Sequence, residues 1–90
     1  MATVITMPKF GMTMETGTLA AWRKRPGDRV EKGEVLVEIE TDKISTEFES
    51  PESGYLLRLL VKEGGEARIK DPICIIGELA EMEGGDASQG

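Results

Sequence analysis

Along the chain, apolar positions come in short runs separated by turn formers. Glu34 to Glu40 reads Glu-Val-Leu-Val-Glu-Ile-Glu, which on an extended backbone puts Val35, Val37 and Ile39 on one face and Glu38 and Glu40 on the other. The pattern predicts a half-buried strand. Gly17–Trp22 and Gly54–Val61 predict two more, Ser45–Glu49 a further extended segment, and Val4–Met7 and Ile73–Ile76 the terminal strands. Turn punctuation at Pro26-Gly27-Asp28, Lys32-Gly33, Ser50 to Gly54, Glu63-Gly64-Gly65 and Lys70-Asp71-Pro72 leaves most pieces too short for a useful helix. The fold class is all-β.

The chain also repeats weakly at an offset of 37, with Glu15-Thr16-Gly17-Thr18-Leu19 matching Glu52-Ser53-Gly54-Tyr55-Leu56. In the same register Trp22 falls on Leu59, Gly27 on Gly64, Val30 on Ala67, Leu36 on Ile73 and Ile39 on Ile76. Two copies of one β-unit related by an approximate two-fold are expected. Leu19 and Trp22, like Leu36 and Ile39, stand three apart, which strict alternation forbids; bulges or sharp twist are expected there. Beyond Leu79 the pattern stops and the chain ends Gly-Gly-Asp-Ala-Ser-Gln-Gly, so residues 1–80 read as one domain and 81–90 as a flexible linker or tail.

Composition narrows the function. Ninety residues with 39 % hydrophobic and 31 % charged positions make a single small soluble-type domain, with little room for an enclosed active site, so an autonomous enzyme is disfavoured. There is no histidine, which removes the commonest general base and metal ligand. A net charge of −6 argues against nucleic acid and anionic membranes and favours a basic partner surface. No apolar stretch approaches the length needed to span a bilayer. Cys74, within Ile73-Cys74-Ile75-Ile76, reads as a core residue. The chain reads as cytoplasmic, or as a mature piece of an organelle protein.

The segment Glu40-Thr41-Asp42-Lys43-Ile44 lies between two extended stretches and should form a hairpin tip. Without Gly or Asn a primed turn is disfavoured, and a type I turn with Asp42 and Lys43 at its centre would push Lys43 outward. Between Glu38 and Glu49 the acids are Glu38, Glu40, Asp42, Glu47 and Glu49, and Lys43 is the only base. By itself such a lysine is most simply a solvated residue balancing nearby carboxylates. Trp22 and Phe48 read as core or edge packing, and Met7, Met12 and Met14 as gap-fillers rather than metal ligands. Gly64-Gly65 lacks the residues of a phosphate-binding loop.

Taken in order and at their spacing, Met7-Pro8-Lys9-Phe10-Gly11, Gly17 with Trp22, Gly27-Asp28-Arg29-Val30, Glu40-Thr41-Asp42-Lys43-Ile44 and Gly54 resemble the lipoyl domain of 2-oxo acid or acetoin dehydrogenase acyltransferases, within the biotinyl/lipoyl attachment family. The resemblance implies a flattened β-barrel of two four-stranded antiparallel sheets with quasi-two-fold symmetry, both termini at one end and the modified lysine at the other. It implies that Lys43 is amide-linked to lipoic acid, that Glu40, Asp42 and Ile44 are recognition positions, and that Gly27 and Gly54 are turn glycines near the lysine end. A lipoate ligase or lipoyl transferase would modify the chain. A thiamine-dependent dehydrogenase, the acyltransferase core and the flavin-dependent dihydrolipoyl dehydrogenase would be its partners, and the isolated domain, non-catalytic by itself, would be a monomer. Lys70 departs from the family pattern where Gly is frequent, as does Ala67 where a larger aliphatic is usual. A biotinyl domain would bracket its lysine with methionines; here Asp42 and Ile44 stand there, which favours lipoate.

Overall fold

The computed structural model describes residues 2–10 and 14–78. Eight strands follow one another: β1 (Thr3–Thr6), β2 (Thr16–Trp22), β3 (Arg29–Val30), β4 (Val35–Glu40), β5 (Ser45–Glu49), β6 (Gly54–Leu59), β7 (Glu66–Arg68) and β8 (Pro72–Gly77). They pair antiparallel into two four-stranded sheets, ordered β1-β8-β6-β3 and β5-β4-β2-β7. This is the flattened all-β architecture the sequence pointed to, and the six expected strands lie within two residues of their expected ends. Strands β3 and β7 are additional, with two and three residues each, too short to show an alternation. The boundary between residues 80 and 81 and the position of Met12 lie outside the described residues.

The internal repeat is written into the hydrogen-bond register. In the β2–β4 ladder Leu19 faces Ile39, Ala21 faces Glu38 and Trp22 faces Val37; in the β6–β8 ladder Leu56 faces Ile76, Arg58 faces Ile75 and Leu59 faces Cys74. Every pair of the first set maps onto the second at the sequence offset. Both ladders shift register at the same place, between Leu19 and Ala21 and between Leu56 and Arg58. Such bulges allow apolar residues three apart to serve one interior. A third shift, between Val35 and Val37, corrects the simple alternation expected for β4: Leu36 and Val37 are buried in succession, and Val35 is only half-buried.

The symmetry also fixes where the chain enters and leaves. Strand β5 pairs with β4 as β1 pairs with β8: Ile39–Thr46, Glu38–Glu47 and Val37–Phe48 correspond to Ile76–Thr3, Ile75–Val4 and Cys74–Ile5. Where one half has the hairpin joining Glu40 to Ser45, the other has Gly77 beside Ala2, so close that a Cβ on Gly77 would stand 2.9 Å from the Ala2 Cα. The two-fold that exchanges the halves therefore carries the hairpin tip at one end onto the ends of β1 and β8 at the other.

Both sheets contribute to a single core, in which Leu19 and Leu56, Leu36 and Ile73, Ile39 and Ile76, and Val30 and Ala67 are two-fold mates. Each fully buried aliphatic side chain contributes about 1.5–3 kcal/mol relative to exposure. Cys74 lies in this core, and burial pushes its thiol up to about 12, so it stays protonated and unreactive at neutral pH. Trp22 seals one flank: its indole Nε1–H donates to the Val61 carbonyl at 3.1 Å.

Four tight turns are likewise paired. Arg25–Asp28, Glu31–Glu34, Lys62–Gly65 and Arg68–Asp71 each close with an amide of the fourth residue donating to the first carbonyl, at 2.9–3.0 Å. The third position has positive φ in all four, 97° at Gly27, 95° at Gly33, 86° at Gly64 and 75° at Lys70, as a type II turn requires. Lys70 is thus the mate of Gly33 and holds a conformation that costs an L-residue about 1–2 kcal/mol. Against a glycine entropy penalty of about 0.5–1 kcal/mol, Lys70→Gly should stabilise the domain by about 0.5–1 kcal/mol and raise the melting midpoint by about 2–8 °C. Gly33→Ala should lower it, and calorimetry on the two variants checks both signs.

Candidate functional site

The tip is built by the end of the β4–β5 ladder. Glu40 pairs with Ser45, and beyond them the Thr41 amide donates to the Ile44 carbonyl at 2.8 Å, leaving Asp42 and Lys43 as the two-residue loop. Neither has positive φ, so primed turns are excluded, as the absence of Gly and Asn anticipated. The inner side of the loop is organised by a residue that sequence reasoning passed over. The Thr41 hydroxyl oxygen accepts from the Lys43 amide at 3.3 Å and the Ile44 amide at 3.2 Å. A threonine hydroxyl bonding the amides two and three residues ahead is a recognised local turn signal, legible in Thr41-Asp42-Lys43-Ile44.

Asp42, Lys43 and Ile44 are all exposed, Ile44 at 45 %. Among the described residues no ion pair or hydrogen bond engages the Lys43 ammonium. A lysine so presented is a free nucleophile once deprotonated, on a backbone fixed by the ladder beneath it. Beside it opens a groove of about 590 Å³ lined by Phe10, Met14 to Thr18, Glu40 to Ile44 and Glu66.

The acids expected around Lys43 divide three ways. Glu40 and Asp42 line the groove with it, joined by Glu15 and Glu66 from distant parts of the sequence. Glu38 and Glu47 face one another directly across the β4–β5 ladder, a like-charge pairing that is unfavourable alone. Arg23 bridges them, bonded to Glu38 and 3.9 Å from Glu47, and so offsets one of the two charges and relieves their repulsion. Glu49 ends β5, about 17 Å from the tip at the usual rise per residue.

Gly27 and Gly54 do not line the groove. The chain leaves β5 through Ser50, whose amide donates to Glu34, before reaching Gly54 at the end opposite the tip. There a Cβ on Gly54 would stand 3.0 Å from the Gly77 carbonyl oxygen and 3.1 Å from Ile76 Cγ2. Gly27 occupies the β2–β3 turn, its amide donating to Leu56 at 2.7 Å. The expectation that both lie near the lysine end is therefore corrected: they serve turn geometry and close packing between strands. The two-fold mate of Gly54 is Gly17, which does line the groove; a Cβ there would stand 3.0 Å from Ile39 Cγ2 and 3.0 Å from Met14 Cε.

Removing the Thr41 hydroxyl by the isosteric Thr41→Val should leave the core intact and loosen the loop. Amide hydrogen exchange should accelerate at Lys43 and Ile44, with a stability loss of no more than about 1 kcal/mol. Unchanged exchange at both amides would mean that the threonine does not hold the turn.

Comparison with known proteins agrees with this geometry. Residues 3–76 match the family described as Biotin-requiring enzyme, the biotin/lipoyl attachment family. Over 81 residues, 90 % of the chain, it is 46 % identical to the dihydrolipoyllysine-residue acetyltransferase component of the acetoin cleaving system of Bacillus subtilis (strain 168), covering 20 % of that protein. It is 49 % identical over 78 residues, 84 % of the chain, to the corresponding mitochondrial pyruvate dehydrogenase component of Neurospora crassa, covering 17 % of it. The chain thus spans about a fifth of the curated relatives it matches. Among solved structures it resembles the lipoyl domain of the 2-oxoglutarate dehydrogenase complex from Azotobacter vinelandii, with TM-score 0.68 and 31 % identity over 83 % of this chain and 95 % of that one. With two symmetric sheets, a lysine turn opposite the strand ends, and these matches, the chain belongs to the biotin/lipoyl attachment family as a lipoyl domain.

Proposed function

We propose that Lys43 is the residue that carries lipoic acid, and that the domain moves acyl groups and reducing equivalents between the active sites of a 2-oxo acid or acetoin dehydrogenase complex. The observation that carries the reading is the exposed lysine, unpaired among the described residues, on a two-residue loop closed by hydrogen bonds. The residues fit the group: a solvent-facing amine accepts an acyl chain without disturbing the core, and an open groove adjoins it. When bound, the dithiolane supplies the redox and acyl-accepting chemistry; the chain supplies position.

Each residue of the loop has a separate task in this reading. Thr41 fixes the backbone, Asp42 and Ile44 frame the lysine for the modifying ligase or transferase, and Glu40 adds charge at the strand end. Amide formation removes the Lys43 charge and takes the formal total from −6 to −7. The acids lining the groove then stand without a base among them and complement basic entrances of the thiamine-dependent dehydrogenase, the acyltransferase core and dihydrolipoyl dehydrogenase. Which of the relatives' 2-oxo acid or acetoin systems the parent serves follows from the dehydrogenase it meets, as does the compartment, bacterial cytoplasm or mitochondrial matrix.

Incubation with a lipoate ligase should add one lipoyl group, at Lys43 and at no other lysine, as read by intact mass and peptide mapping; a biotin ligase should add little. The double variant Asp42→Lys with Lys43→Ala keeps an exposed amine one position away. Because neighbouring turn side chains point differently, and about 1 Å of misplacement can cost roughly a hundredfold, its modification should collapse while its melting curve does not. Near-normal modification of the folded shifted variant, or modification spread over Lys9, Lys24 or Lys62, would overturn the reading.

A further inference from the structure

We infer that the groove beside Lys43 is a resting seat for the domain's own lipoyl arm, with the ring end lying against Phe10 and Met14; this rests on the reading of Lys43 as the lipoylated residue. The occupant is fixed by the tether, because Lys43 itself lines the groove. The apolar part of the groove is held in place. Phe10 meets Phe48 edge-on, with ring centroids 6.4 Å apart and planes at 74°. The Phe10 amide donates to Met14 Sδ at 3.3 Å, and the Met14 methyl lies in the space that the missing side chain of Gly17 leaves, 3.0 Å from where a Cβ would be. A thioether and an aromatic ring, both half-buried, are polarizable surfaces suited to a sulfur-containing ring.

The two-fold strengthens the case. In the half without the lysine, Pro51 stands where Met14 stands, and the notch at Gly54 is filled by the Gly77 carbonyl at 3.0 Å. At the lysine end alone the notch receives a side chain that lines an open groove. Charge sorts the arm by its state. Glu15, Glu40, Asp42 and Glu66 line the groove and are exposed; they attract the ammonium of unmodified Lys43 toward their carboxylates, whereas the neutral amide of the modified residue feels no such pull and is free to lie along Phe10 and Met14. The seat is open rather than enclosed, so contact is weak and a docking partner displaces the arm.

Nuclear magnetic resonance on the lipoylated domain, labelled at the methionine methyls and with modification confirmed by intact mass, tests this directly. The Met14 methyl should shift on lipoylation while core Met7 shifts less, and dithiolane protons should show cross-relaxation to the Met14 methyl and the Phe10 ring. Met14→Gln, lipoylated and folded, should lose the cross-relaxation to Phe10 and give narrower arm resonances. A fully lipoylated wild-type domain with no such cross-relaxation and no Met14 shift overturns the seat. A chain that the ligase leaves unmodified overturns the prior reading of Lys43 instead.

Discussion

The structure depends on one ladder used twice. The strand pair that brings Leu19 onto Ile39 in one sheet brings Leu56 onto Ile76 in the other, and neither apolar face can be buried without its mate. Ninety residues cannot build a core from one such unit, because a small chain leaves too much of its surface wet. Closing two units face to face shares one interior between them, and the bulges after Leu19 and Leu56 bend each ladder enough to do so. The outcome is a body stiff enough to hold a loop at its end in one orientation.

Placing the lysine at that end is a consequence of the same symmetry. The first half closes through a two-residue hairpin, and the second leaves the equivalent position to Ala2 and Gly77. Tip and strand ends therefore lie at opposite ends of the body, so whatever chain extends beyond Ala2 and Gly77 starts away from Lys43. A carrier needs that separation: tethering at one end raises the effective concentration of the other near each site without obstructing it.

Much of this was legible in the residues. The repeat from Glu15 and Glu52 foretold the two-fold, and the paired three-residue spacings foretold the bulges that now explain them. Val35 was misplaced because the alternation of Val35, Val37 and Ile39 competes with the three-residue spacing of Leu36 and Ile39, and the register shift in the edge pairing with β5 decides for Leu36. Strands β3 and β7 were too short to carry a period at all. Around Lys43, local sequence identified the loop and its two near acids, but Glu15, Glu66, Phe10 and Met14 reach it through sheet pairing, which no neighbouring residue announces. Thr41 was readable from local turn chemistry and was masked by attention to charge. Gly27 and Gly54 show the opposite error, one of place: Gly27 is the turn glycine expected and Gly54 allows close packing against Gly77, but both stand away from the lysine end.

The acids illustrate why a charge count along the chain is a poor guide to a surface. Five carboxylates lie between Glu38 and Glu49, yet alternation sends Glu38 and Glu47 to the outer face of the sheet, where Arg23 binds both. Exposed pairs of this kind contribute little to stability, about 0–1 kcal/mol. Their effect is on the field: Arg23 offsets one of the two charges off to one side, whereas the four acids that line the groove, Glu15, Glu40, Asp42 and Glu66, share that lining with the single base Lys43. A protein surface that approaches the tip meets negative potential concentrated along the groove rather than spread over the hairpin. The approach is thereby biased toward the side on which Lys43 stands, and orientation, more than affinity, is what such a field supplies.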